Sequence, residues 1–163
     1  MSKLDKLLMS MIEFYAGDPK RIQHFLKVHD FAALISRLEG ADDKTIKLIE
    51  AAAYVHDIGI KPAEEKYGSS IGKYQETEGA PLAEKMLLDC GFDKKIAERV
   101  SYLVGHHHTY TNVDGLDYRI LIEADFLVNA YEDKLSGDAV VKMRQVIFRT
   151  KAGCDLLNTI YGV

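Results

Sequence analysis

Few residues in this chain have the types and setting for metal chemistry. His56 and Asp57 close an apolar, helix-forming run, Ala51-Ala52-Ala53-Tyr54-Val55. His24, Asp125 and the run His106-His107-His108 lie inside or beside other apolar segments. Burying an unpaired polar group is costly, and an unpaired charge more so, so an apolar helix that ends in His-Asp requires partners for both side chains. Imidazole nitrogen and carboxylate oxygen are both ligands for divalent transition metals. His24, His56, Asp57 and Asp125 together form a mixed nitrogen and oxygen set suited to Mn, Fe, Co, Ni, Zn or Mg, with no thiolate to narrow the choice. Asp125 is the most informative of the four, because it stands among Leu121, Ile122, Leu127 and Val128, where a carboxylate needs a partner.

The elements that must position these residues are helices. Leu4, Leu7, Leu8, Met11, Ile12 and Tyr15 follow the three-and-four spacing of an amphipathic helix ending at Gly17. Asp18-Pro19 reads as an N-cap with proline in the first turn, opening a second helix to about Glu39 that carries His24. Asp42 or Asp43 caps a third, which ends at His56-Asp57 with Gly59 as its stop. From Ile60 to about Glu78 the pattern fades into loop signals, Lys61-Pro62, Gly68-Ser69-Ser70 and Gly72. Such length in a connection is often functional. A fourth helix is expected over about Glu78 to Asp89, a fifth from the Asp93 cap to His106, a sixth over about Leu116 to Leu135 and a last over about Ser136 to Leu157. The expectation is an all-α, single-domain bundle of about seven helices over residues 1–163. Bundles of this kind build metal sites from inward side chains on facing helices.

In that order and local context the residues resemble the HD-domain superfamily of metal-dependent phosphohydrolases. The family's first motif commonly reads Arg-x-x-His-x-x-x-Val-x-x-x-Ala, and Arg21, His24, Val28 and Ala32 stand at those places. Its second motif is often His-Asp-Ile-Gly, matched by His56-Asp57-Ile58-Gly59. Its late aspartate tends to sit in an Ala-Asp-apolar-Leu/Val context, as in Ala124-Asp125-Phe126-Leu127. The resemblance covers roughly residues 19–129. It implies a divalent ion held by His24, His56, Asp57 and Asp125, and attack of metal-activated water on the phosphoester of a small molecule, a nucleotide being the expected substrate. Asp57 would hold both metal and water. Arg21 and Lys61 are the candidate phosphate cations. Glu78, or another carboxylate of the same loop, is the candidate acid or base. Members that bind two ions add histidines between the pair and the last aspartate. One family position precedes a Gly-Ala by four residues and is here Gln75, with Glu76 and Glu78 as nearby oxygens. The other points to His107, with His106 next. One ion is therefore expected, with a second left open.

The chain also contains His29-Asp30. At about 100° per residue, His29 faces about 140° away from His24, and it lacks the glycine that follows the other pair. His29 and Asp30 read as surface or supporting groups.

The totals bound the rest. The 163 residues suit one core. A formal charge of −4 offers no basic footprint for a nucleic-acid polymer, although it does not exclude a phosphate substrate, since an ion dominates the field of its own site. Cys90 and Cys154 are far apart and read as small apolar residues in a reducing compartment. No apolar run approaches the ~18 residues of a membrane span, so a cytoplasmic protein without membrane contact is expected. A homodimer is one assembly the sequence leaves open. The alternative to an enzyme is a regulatory module whose metal pocket senses a nucleotide with little or no turnover.

Overall fold

The computed structural model describes all 163 residues. They form nine α-helices and no strand: α1 (Lys3–Phe14), α2 (Pro19–Leu38), α3 (Asp43–Val55), α4 (Ile60–Tyr67), α5 (Gly72–Asp89), α6 (Lys94–Val104), α7 (Leu116–Glu132), α8 (Gly137–Ile147) and α9 (Lys151–Tyr161). Starts follow local chemistry. Side-chain oxygens of Asp18, Asp42, Asp93 and Ser136 each accept from the backbone three residues on, satisfying donors that a helix start leaves unpaired.

The centre of the bundle is α3. It packs against α1, α2, α6 and α7. Ala51, Ala52, Ala53 and Val55 are fully buried. One-carbon side chains on three successive positions let neighbouring helices approach the end of α3 from several sides. That approach brings ligands from distant parts of the chain to His56. Along α7, eleven of seventeen residues are buried, the mark of a helix enclosed by the core. Helices α8 and α9 cover its outer side.

Three elements differ from the sequence expectation. Residues 60–78 are largely helical: α4 occupies the first half, and α5 begins at Gly72 rather than at Glu78. A start near Glu78 would put Pro81 in the first turn, but Pro81 lies inside α5. Packing of α5 on α4 and α6 offsets the proline's missing donor. The last helix is broken in two at Phe148-Arg149-Thr150. Buried Glu123 of α7 accepts from the Arg149 and Thr150 amides at 2.7 and 3.0 Å and from the Thr150 hydroxyl, so a partner in another helix satisfies donors that leave the helical ladder.

Gly59 has a different role from the expected stop. Its backbone is right-handed helical. A Cβ there would lie 2.1 Å from the Gln75 carbonyl oxygen and 2.8 Å from the Gly79 amide nitrogen. Glycine is required because α5 crosses directly over this turn.

Candidate metal centre

His24 projects from the second turn of α2, His56 caps the end of α3, Asp57 follows in the turn, and Asp125 lies midway along α7. Asp57 is fixed from behind: the Tyr15 hydroxyl donates to its carbonyl at 2.7 Å, and the Ile60 amide donates to the same oxygen at 3.1 Å. The tip of α1 thus pins the turn that carries the pair.

The four side chains converge. His24 Nε2 lies 3.2 Å from His56 Nε2, from Asp57 Oδ2 and from Asp125 Oδ1. His56 Nε2 lies 3.4 Å from Asp57 Oδ2 and 3.3 Å from Asp125 Oδ1. Donors that share one ion at about 2.0–2.1 Å in tetrahedral array stand about 3.3–3.4 Å apart. His56 is 0% exposed, Asp125 4% and His24 8%, so water cannot stand in freely for missing partners. The Asn129 amide donates to Asp125 Oδ1 at 3.0 Å and steadies it.

Tautomers follow from the other face of each ring. His56 Nδ1–H donates to the Ala53 carbonyl and His107 Nδ1–H to the Val104 carbonyl, both at 2.7 Å. His24 Nδ1–H donates to Glu132 Oε1 at 2.5 Å. All three therefore turn an Nε2 lone pair inward. Two lone pairs facing one another at 3.2 Å repel unless a cation stands between them. His107 Nε2 is buried without a hydrogen-bond partner, 3.3 Å from Asp57 Oδ1 and out of alignment with it. The residues present fit a divalent ion.

Without an ion, protons fill that role. Burial pulls the His24 and His56 pKa values down, but hydrogen bonds and charge from Asp125 and Asp57 outweigh it, raising them to about 11 and about 10. Conversely, burial pushes Asp57 and Asp125 up, yet the His56 charge and the imidazole hydrogen bonds hold both below the usual carboxylate range.

Asp57 also faces a second group. Its other oxygen joins His107 and His108, whose donor atoms lie within 4.8 Å of one another and of Asp57. Gln75 spends its amide N–H on the Ser70 carbonyl at 2.5 Å, and its Oε1 faces His108 Nε2 at 2.9 Å. Burial, then the charge of His107, lowers the His108 pKa to about 4.

His24, Asp57, Gln75 and His108 line a pocket of about 480 Å³ together with Asp18, Lys20, Arg21, Ser70, Asn129, Glu132 and Asp133, with Ile60 as its one apolar residue, while His56, Asp125 and His107 lie behind them. Arg21 is in the pocket as expected, its guanidinium paired with Glu64 at 2.5 Å and Asp18 at 3.2 Å. Three expected residues are not brought in. Lys61 turns to the Phe14 carbonyl at 3.3 Å and lies over the Phe14 ring, because α4 starts at once and rotates it outward. Glu78 pairs with Lys66 and Tyr67 on the outer face of α5. His106 donates to the Tyr102 carbonyl and stacks on the Tyr102 ring, one residue out of phase with His107.

Sequence reasoning missed the site roles of His108, Asn129 and Glu132. Asn129 and Glu132 follow Asp125 by four and seven residues, the spacing of one helix face, which was a usable signal. For His108 the signal was weaker, since the direction of a ring in a turn is set by what packs on it.

A family model described as HD domain matches residues 21–136. A crystal structure of a predicted HD superfamily hydrolase from an uncultured Thermotogales bacterium superposes with a TM-score of 0.71 at 26% identity, covering 99% of this chain and 86% of that one. A comparison with curated proteins finds no match.

Proposed function

The chain belongs to the HD-domain family, and on that premise we propose that it is a metal-dependent phosphohydrolase that cleaves a phosphoester of a small molecule, a nucleotide in first place. The observation that carries this reading is the set of inward Nε2 lone pairs and carboxylates, which His24 and Asp57 open onto a polar pocket that also holds the Arg21 guanidinium. A structural metal site is closed. This one faces a cleft.

A bound divalent ion would supply Lewis acidity toward a phosphoryl oxygen and an activated water. His24, His56, Asp57 and Asp125 would hold it, and Asp57, with one oxygen toward each histidine group, orients what lies between them. Arg21 exchanges its contacts with Glu64 and Asp18 for the phosphate, whose oxygens a planar guanidinium meets two at a time. No phenyl, phenol or indole ring lines the pocket. Recognition therefore rests on the phosphate and on hydroxyl groups of the substrate, with little contribution from base stacking.

The test is metal analysis of the purified protein, followed by an aryl phosphate and a panel of nucleotides differing in base. Turnover that needs the ion, stops with chelator and varies little with the base is expected. Undiminished turnover in metal-free protein would overturn the reading. Nucleotide binding without hydrolysis under every ion would favour a sensing module instead.

A further inference from the structure

We infer that Glu132 is a positioning residue for the metal-binding edge of His24, with Lys27 holding Glu132 in place. This rests on the metal-centre reading above. The three inward histidines are supported differently. His56 and His107 lie at helix ends, and each donates Nδ1–H to a carbonyl three residues back, Ala53 and Val104. His24 lies inside α2, where backbone carbonyls are already taken by the helical ladder. Its Nδ1–H needs an acceptor from another element, and Glu132 at the end of α7 supplies it at 2.5 Å. Glu132 stands seven residues after Asp125, so one face of α7 reaches His24 twice, through Asp125 at Nε2 and through Glu132 at Nδ1.

The difference in acceptor has a chemical consequence. A carbonyl fixes the tautomer. A carboxylate fixes it and also pushes electron density through the ring toward Nε2, strengthening that nitrogen as a ligand. Glu132 is largely enclosed, with its side chain 15% exposed. Its second oxygen meets Lys27 Nζ at 3.3 Å. That contact holds the second oxygen on α2 while the first faces His24 Nδ1, so that Glu132, at the pocket wall, turns its oxygens to Lys27 and His24.

The experiment is a titration of metal-free protein with Co²⁺, read by its visible absorption. Glu132→Ala should bind Co²⁺ roughly tenfold to a hundredfold more weakly than the parent, with a displaced absorption band. Glu132→Gln keeps an acceptor oxygen and the side-chain volume while removing the charge. It should fall between the two, which guards against a folding defect in the alanine variant. Lys27→Met should weaken binding less than Glu132→Ala. If Glu132→Ala and Glu132→Gln bind Co²⁺ with parental affinity and an unchanged spectrum while melting at lower temperature, Glu132 is a structural group only and the inference fails. If the parent itself binds no Co²⁺, the metal-centre reading fails with it.

Discussion

The chain carries two adjacent His-Asp pairs, and they do opposite things. His56-Asp57 closes α3, where the ladder has run out of partners and the turn directs both side chains into the space between helices. His29-Asp30 lies in the middle of α2. There His29 stacks on Tyr54 with ring centroids 4.2 Å apart, and its two nitrogens face Glu50 Oε1 at 3.1 Å and Asp30 Oδ1 at 3.2 Å. Asp30 itself is 87% exposed at the side chain. Both nitrogens of His29 are thus engaged by carboxylates, whereas His56 has one nitrogen engaged and one lone pair aimed at other donors. A motif of two letters becomes a metal site only where the backbone stops supplying partners and neighbouring helices bring in more ligands.

The comparison breaks most sharply by deletion at the first pair. His56→Ala or Asp57→Ala should abolish metal content and hydrolysis while the helical circular dichroism persists. Full metal content in either variant would relocate the site.

Next comes pH. In metal-free protein, His24 and His56 have folded-state pKa values raised from 6.5 to about 11 and about 10. A group raised on folding stabilises fully below its unfolded pKa and loses that contribution as pH climbs through its folded value. Metal-free protein should therefore lose stability progressively from about pH 6.5 toward pH 10–11, and saturating Zn²⁺ should flatten the loss, because the ion replaces the protons. Thermal melts across that range, with and without ion, make the measurement. A flat metal-free profile would mean the inward lone pairs do not share a cation.

The backbone that distinguishes the two pairs can be tested at Gly59. Gly59→Ala places a Cβ against the Gln75 carbonyl and should lower the melting temperature by roughly 2–12 °C, as overpacking of about 1–3 kcal/mol does in a domain of this size. A variant within about a degree of the parent would show that α5 shifts aside without cost.

The smallest effect belongs to the second pair. His29→Ala should leave metal content unchanged and cost about 1–2 kcal/mol for the lost ring stacking and hydrogen bond, seen as a modest fall in melting temperature. Loss of metal in this variant would erase the distinction between the pairs.

By itself the sequence determined what local chemistry controls. The apolar spacing specified helices, Asp18 and Asp93 marked two of their starts, Asp42 or Asp43 and the Ser136 region two more, and the ordered set Arg21, His24, His56-Asp57 and Asp125 carried the resemblance to the family whose model the chain matches. The angular offset of His29 from His24 was legible as well, since both stand on one regular helix. Tertiary structure decided the rest. It carried α5 through Pro81, split α8 from α9 on the buried carboxylate of Glu123, and required Gly59 for the crossing of α5. It turned Lys61, Glu78 and His106 outward and brought in His108, Asn129 and Glu132. The reason is one of range. Capping and periodicity act within a few residues and are written in the neighbouring letters. The direction of a side chain in a turn, and the partner of a buried donor, depend on which distant helix packs there, as Glu132 does for His24 from 108 positions away.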